Sequence, residues 1–481
     1  MAEEQGITVK KMENFTDWYT QVVQKAELAD YGPVQGTIAM RPYSYAIWEM
    51  IQKIFDEKIK KTGHKNAYFP TLIPEGFLKK EAEHFKGFDP EVFWVTHSGD
   101  NKLGERLVVR PTSETMIYHF YSKWIRSWRD LPLLLNQWCS VLRAEIKSTK
   151  PFIRASEFLW QEGHTAHATK EDADKEMFAI LDEYVDLAES YLALEVLKGK
   201  KSEMERFPGA LTTTTFESMM PDGRALQMGT SHNLGQNFSK PFKIKFLDKD
   251  KKEKFVWTTS WGISTRLLGA LIMVHGDDRG LVIPPKIAPI QIVIVPVYYN
   301  EKERKDVLKK AEKVKEILKE FRVHFDGRTE YSPGWKFNEW ELKGVPLRIE
   351  IGPKDVEKKH VVFARRDEAE KKKKTMVEDK EIEKEAGKTL DMIQQSLHEK
   401  SKNEMEKMTH DAKNYSEFKK AVENGGFIRA GWCGDVHCEE QIKIETSATI
   451  RVIPLKRESG FSKCVYCEKS AKEVVYFGKS Y

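Results

Sequence analysis

The sequence predicts three consecutive units: an α+β unit over residues 1–285, in which helices wrap an antiparallel sheet, an α/β unit over 286–400, and a small zinc-binding α+β unit over 401–481. Three observations carry that prediction. Aromatic and β-branched segments broken by turns recur through the first 285 residues. Strand and helix then alternate regularly after a Pro-rich break, and four of the five cysteines form two close pairs near the C-terminus. A chain of 481 residues is in any case too long for one core.

Residues 44–62 place Ile47, Met50, Ile51, Ile54 and Phe55 on one helical stripe, with Gly63 as the stop. The following "HKNAYFPTLIP" reads as a strand ending at Pro70. From about 104 to 165 the pattern is strand-like, in "ERLVVRP", "LNQWCSVLRAEI" and "PFIRASEFLWQEGHTAH". Residues 170–197 read as helix. Further strands are expected at "LQMGTSHNLGQNF", "FKIKFLD" and "KFVWTTSWGI", and "STRLLGALIMVHG" is a buried helix carrying Arg266. "LVIPPKIAP" ends the unit. A strand at 290–297, a helix at 301–321, a strand at 322–326, a short helix near 335–343 and the strands "PLRIEIG" and "HVVFARR" make a mostly parallel α/β domain. "EAEKKKKTMVEDKEIEKEAGK" mixes both charge signs and reads as a solvated helix or loop.

Composition excludes little. Lys plus Arg less Asp plus Glu is 79 − 74 = +5, so nucleic-acid binding would need a local basic face. The N-terminus is acidic where a signal peptide is basic, and "IAPIQIVIVPV" is too short and Pro-broken to span a bilayer. No membrane attachment and a cytoplasmic location are expected. Five cysteines do not make a disulfide scaffold. Cys433-xxxx-Cys438 and Cys464-xx-Cys467, 25 residues apart, suit four thiolates around a structural Zn²⁺, with a redox dithiol as the alternative.

The chain has no GxxxxGK phosphate loop, so a nucleotide would have to be held by arginines on strands. Arg143 and Glu145 in "LRAE" share one face of a strand. There the Arg can bind an α-phosphate while the Glu orders an amine or cation; a cross-strand ion pair is the plainer reading. Arg154, Phe158 and Arg266 extend the set. In "FLWQEGHTAH", His164 and His167 are spaced like half a metal site, but the sequence offers no third or fourth ligand nearby.

In order, "GHKNAYFP", "LRAEIKSTKPFIRASEF" and "GISTRLLGALI" resemble the three motifs of the class II aminoacyl-tRNA synthetases. "RPTSET", "FLWQEGHTAH", "LQMGTSHNLGQNF" and "TTSWGISTR" resemble the prolyl-tRNA synthetase family of the archaeal/eukaryotic type, and the resemblance covers essentially the whole chain. Arg143 and Arg266 are only 123 positions apart, leaving no room for the editing insertion of bacterial-type relatives. The cysteine module and the terminal Tyr481 also match this type.

The resemblance implies a homodimeric proline–tRNA ligase that uses ATP and Mg²⁺ and takes L-proline and tRNA(Pro). It implies a class II catalytic domain, an α/β anticodon-binding domain and a C-terminal zinc-binding domain over the three spans above, with residues 44–74 as the dimer element. Thr112 and Glu114 would hold the proline ammonium, although Thr-Ser-Glu is also a helix-cap sequence with Ser113 the cap. Trp160 would wall the ring, with Arg143, Glu162, His164, His232 and Ser264 completing the pocket. Arg143, Glu145, Arg154, Ala155, Phe158, Gln227, Thr230, Ser264, Thr265 and Arg266 would bind ATP, with Arg143 and Arg266 catalytic. Several relatives carry Thr where this chain has Ala155. Glu341, Arg348 and Lys354 would read the anticodon, and the lysines at 371–374 would add phosphate contacts. His167 is expected to be structural. A threonine-specific ligase of the same class and an inactive tRNA-binding regulator are the competing readings.

Overall fold

The computed structural model describes residues 6–82, 91–144, 148–368 and 374–481. The chain opens with α1 (Phe15–Lys25), whose first turn is closed by Asn14 Oδ1 accepting from the Asp17 amide at 3.1 Å. A small hairpin, β1 (Ala29–Tyr31) and β2 (Ile38–Met40), leads into α2 (Pro42–Lys61), which starts on proline and buries Ile47, Trp48, Ile51, Phe55 and Ile59. Next come β3 (Lys65–Asn66), β4 (Leu72–Pro74), α3 (Glu75–Ala82), β5 (Trp94–Ser98), β6 (Asn101–Val109) and α4 (Glu114–Trp124). The strand expected through Pro70 pairs over Lys65 and Asn66 only. The Phe69 amide donates instead to the Gln137 side chain at 2.5 Å, which peels the segment off the ladder. The helix α4 interrupts the span that reads as strand in the sequence.

The main sheet is built from β7 (Leu133–Leu142), β8 (Glu157–His167), β9 (Leu197–Lys200), β10 (Thr212–Met219), β11 (Ala225–Gly235) and β14 (Trp257–Ser264), paired antiparallel in the order β9-β10-β11-β14-β8-β7. Helix α5 (Lys170–Asp186) and the apolar α6 (Arg266–His275) pack with α1 and α2 on one face, sharing a core that includes Trp48, Tyr184, Trp261 and Leu271. A side hairpin, β12 (Lys245–Leu247) and β13 (Glu253–Phe255), completes the unit.

The second unit has β15 (Ile292–Pro296), α7 (Glu301–Ile317), β16 (Val323–Phe325), α8 (Pro333–Leu342), β17 (Leu347–Ile351), α9 (Pro353–Lys358), β18 (His360–Arg365) and β19 (Lys374–Glu378), in the sheet order β16-β15-β17-β18-β19. Only β15 with β16 and β15 with β17 pair parallel; β18 and β19 are antiparallel additions. The eight residues between β17 and β18 are too few for a parallel crossover, so "mostly parallel" becomes a mixed sheet. The charged tract read as solvated contributes β19, in which Val377 alone is buried in the core. Positions 371–373 of the lysine tract lie outside the described residues.

Helix α10 (Ile382–Lys407) runs past position 400 and packs Ile393 and Leu397 against Ala193 and Val282. The chain ends in β20 (Thr409–Ala412), α11 (Tyr415–Asn424), β21 (Phe427–Trp432), α12 (Val436–Thr446), β22 (Thr449–Pro454) and β23 (Glu473–Gly478). Because β22 pairs with β9 (Ile453 opposite Lys200), these strands extend the main sheet to eleven, from β20 at one edge to β3 at the other. Among the described residues, no helix is long and apolar enough to cross a membrane.

Candidate active site

Two cavities open over the antiparallel sheet, and Arg143 lines both. It follows the end of β7, with Nε donating to the Pro111 carbonyl at 3.2 Å and the guanidinium 5.3 Å from the Phe158 ring and 5.6 Å from the Trp160 ring. Phe158 and Trp160, two apart on β8, meet edge to face at 6.1 Å.

The first cavity, about 610 Å³, is lined by Thr112, Glu114, Trp160, Glu162, His164, Gln227, Thr230 and His232, closed by 205–208 on one side and Trp261 on another. Its polar floor is ordered by a carboxylate network. Glu162 accepts from the Ser113 amide at 3.1 Å, the Ser113 hydroxyl, Gln137 Nε2 at 3.0 Å and His164 Nε2 at 3.1 Å. Burial by itself would raise the Glu162 pKa, but the bond and charge of His164, with Ser113 and Gln137, hold it below the ordinary value. Burial would likewise lower His164, but Glu162 and the charge of Glu114 raise it. Each of the two groups thus favours the charged form of the other. Thr112 donates to Glu114, whose carboxylate faces the same cavity.

Ser113 occupies the cap position of α4, but its hydroxyl goes to Glu162 and no side chain caps the helix. The cap reading of this serine is thus corrected: a buried carboxylate on the neighbouring strand competes for its hydroxyl. Glu114 and Glu162 bring two carboxylates within 4.8 Å of a His164 nitrogen, a constellation that could hold a cation. A ligand ammonium fits the same carboxylate oxygens. His167 turns away and bonds Thr165 Oγ1 at 2.7 Å. His232 sits between Thr213 and Thr230 hydroxyls, 2.9 Å from each; burial, then the charge of His164, brings it down to about 3, so it is neutral.

The second cavity, about 400 Å³, is lined by Ile38, Arg143, Arg154, Ala155, Phe158, Ser264, Thr265 and Arg266 among others. Arg266 opens α6 and donates to the Gln227 carbonyl at 3.2 Å. Burial, then the like charges of Arg143 and Arg154, lowers it to about 10, leaving it cationic. Three guanidiniums that repel one another around one cavity, beside an aromatic ring, suit a polyphosphate attached to a flat base. Ser264 lines this cavity and not the first, whereas Gln227 and Thr230 line the first and not this one. Glu145 lies outside the described residues.

The residues expected to read an anticodon are spread over the second unit. Glu341 pairs with Arg279 at 2.5 Å, at the seam with the first unit. Arg348 pairs with Glu350 at 2.9 Å and lies 4.3 Å from the Phe337 ring, and Lys354 is exposed on α9. The four C-terminal cysteines converge: Cys433 lies 3.6 Å from Cys438 and 3.7 Å from Cys467, sulfur to sulfur, and all four fall within 4.8 Å. A tetrahedron with metal–sulfur bonds of about 2.3 Å has edges of about 3.8 Å, so the set fits Zn²⁺. Gly434 at φ +81° makes the turn between the first pair. Gln137, Thr213 and the 205–208 wall are site residues that no sequence motif signals, and Ser113 stands inside "RPTSET", where the sequence signals only a cap.

Three family models match the chain: "tRNA synthetase class II core domain (G, H, P, S and T)" over 93–275, "Anticodon binding domain" over 291–386, and "Prolyl-tRNA synthetase, C-terminal" over 415–481. A proline–tRNA ligase of Cenarchaeum symbiosum is 55% identical over 478 residues, covering 99% of each chain. One of Natranaerobius thermophilus is 54% identical over 98% of this chain and 97% of its own. Among solved structures, the prolyl-tRNA synthetase of Cryptosporidium parvum, complexed with halofuginone and AMPPNP, superposes with a TM-score of 0.94 at 44% identity. That match covers 99% of this chain and 100% of the other.

Proposed function

The chain belongs to the prolyl-tRNA synthetases of class II, and on that premise we propose that it joins L-proline to tRNA(Pro) in two steps through prolyl-adenylate. The observation that carries this reading is the pair of cavities sharing Arg143, one acidic with an aromatic wall and the other lined by arginines beside Phe158.

The proline ammonium is held by Glu114 and Thr112, with the Glu162–His164 pair, Ser113 and Gln137 fixing the floor and His232 the far side. Its ring lies on Trp160. ATP lies in the second cavity with adenine on Phe158 and phosphates on Arg154 and Arg266, flanked by Ser264, Thr265 and Ala155. The proline carboxylate, already ionised, attacks the α-phosphorus without a general base. The new carboxylate–phosphorus bond forms as the bond to pyrophosphate breaks. Arg143 stabilises the charge gathering on the α-phosphate oxygens, the main electrostatic contribution available here. Gln227 and Thr230, neutral oxygen donors on the wall of the first cavity, would help to hold a Mg²⁺ ion, which would supply charge screening for the pyrophosphate. The 3′-hydroxyl of the tRNA then attacks the prolyl carbonyl and AMP leaves.

Three domains over 1–285, 286–400 and 401–481 divide the work between catalysis, anticodon binding by Glu341, Arg348 and Lys354, and a Zn²⁺-bearing module held by Cys433, Cys438, Cys464 and Cys467. The enzyme acts in the cytoplasm as a homodimer through residues 44–74.

The test is amino-acid-dependent ATP–pyrophosphate exchange. Proline should support exchange, and Arg143→Ala should lower it by about a hundredfold or more with the fold retained. Exchange with threonine but not proline would sink the reading, and exchange with no amino acid in folded protein would favour the regulator.

A further inference from the structure

We infer that Glu439 of the C-terminal module is a positioning residue for the amino-acid cavity, acting through Ser202 on the wall at 205–208. The inference rests on the reading of that cavity as the proline site. The connection from β9 to β10 leaves the main sheet at Lys200 and returns at Thr212. Between them, Glu205, Arg206, Phe207 and Pro208 line the cavity. The Phe207 ring lies 4.7 Å from His232, and its amide donates to Thr213 Oγ1 at 3.1 Å.

The outer side of this wall is gripped by the C-terminal module. Ser202 Oγ donates to Glu439 Oε1 at 2.5 Å, and the same oxygen accepts from the Glu205 amide at 3.3 Å. One hydroxyl thus relays the position of α12 to the first residue of the wall. The Glu205 carboxylate meets Lys443 of α12 at 3.4 Å and Arg451 of β22 at 3.8 Å. Glu439 is fully buried, and its second oxygen has no hydrogen-bond partner. A buried carboxylate with an unpartnered oxygen is a costly group in a helix face. Its one described hydrogen bond outside its own helix is to Ser202.

The wall touches the acidic cavity and not the arginine cavity. Loosening it therefore weakens proline binding and spares ATP. The experiment uses full-length, zinc-loaded protein and pyrophosphate exchange titrated with proline and, separately, with ATP. Ser202→Ala and Glu439→Ala should each raise the KM for proline about tenfold, with the KM for ATP and zinc content unchanged. The double variant should be no worse than either single one, because both remove one relay. Glu439→Gln keeps an acceptor oxygen and should restore most of the affinity. Should Glu439→Ala fail to fold, Ser202→Ala, which removes one oxygen atom outside α12, decides alone. An unchanged KM for proline, or equal rises for proline and ATP, would overturn the inference while leaving the proline reading intact. Wild-type protein that does not exchange with proline overturns the reading itself.

Discussion

Burial pushes His232 down to about 3 and His275 down to about 4, so both imidazoles are neutral in the folded chain at neutral pH. His275 sits with a ring nitrogen 2.8 Å from the Leu192 carbonyl, and the positive charges of Lys11, Lys400 and His398 add to the effect of burial. For a base with a depressed folded pKa, the unfolded chain takes up protons first as pH falls below about 6.5, so stability is lost from there downward. At pH 5 the loss is about 2 kcal/mol for each of the two residues. His164 has the opposite sign: its folded pKa is raised, so its contribution is complete at low pH and is lost as pH rises through the folded value. Glu162, lowered, contributes above its unfolded value near 4.5 and loses that contribution only in stronger acid. Glu189 and Glu439, both raised to about 7 chiefly by burial, pull the other way over the same range, so the histidine contribution is read as the difference between the wild type and a variant in denaturant unfolding at pH 5 and pH 7. His275→Gln should be spared about 2 kcal/mol of the acid destabilisation between pH 7 and pH 5 relative to the wild type, without touching the cavity; the same pH dependence in both would mean that His275 is protonated in the folded state. The residue types of the pocket, Glu114, Trp160 and Glu162, are legible because they stand in short local words. What is invisible locally is who partners whom: Gln137 of β7 and Ser113 at the start of α4 serve Glu162 of β8, and only folding brings them together.

Strand β8 shows how an element fixes chemistry. It presents Phe158, Trp160, Glu162 and His164 by its two-residue repeat, and its register with β14 sets Gly163 opposite Trp261. A Cβ on Gly163 would lie 2.1 Å from the Trp261 indole, which is buried and lines the acidic cavity. Gly163→Ala should cost about 1–3 kcal/mol by overpacking and should raise the KM for proline as the indole is displaced, read by urea unfolding and exchange kinetics together. Full stability and unchanged kinetics would show that the indole has room to move. Elements with one strong periodic face are the ones legible in the sequence: α2 by its apolar stripe, β8 by its aromatic alternation, α6 by its continuous apolar run. Those set by partners are not. The strand β19 buries only Val377 and so carries no alternation, and β3 stops after two residues because Gln137 captures the Phe69 amide. The parallel reading of the α/β sheet failed at the length of one connection, which the sequence shows only once both strand ends are known.

At the scale of the whole molecule, the catalytic sheet and the C-terminal module are one hydrogen-bonded surface. Strand β22 pairs with β9, and beneath that joint lies a buried ionic cluster: Glu217 of β10 takes Arg451 at 2.7 Å and Lys201 as well. Lys201 also donates to the Arg451 carbonyl at 3.1 Å. The charges are fully desolvated, so any shift of β22 leaves Glu217 uncompensated in the core, a larger penalty than loss of a surface pair. The four-thiolate site we propose for Zn²⁺ anchors α12 and the turn before β23, on the far side of the same joint. Four sulfurs at these separations repel one another once deprotonated without a cation between them, so metal removal should loosen the module. The joint predicts how far that loosening travels. Metal analysis should give about one zinc per chain. After chelation, amide exchange should quicken in β21, β22 and β23 and then in β9 and the 201–211 connection, while β8 and β14 remain protected by their own antiparallel partners. Exchange that stops at β22 would mean that the module unfolds independently of the sheet it joins; exchange that spreads to β8 would mean that the metal supports the whole catalytic fold.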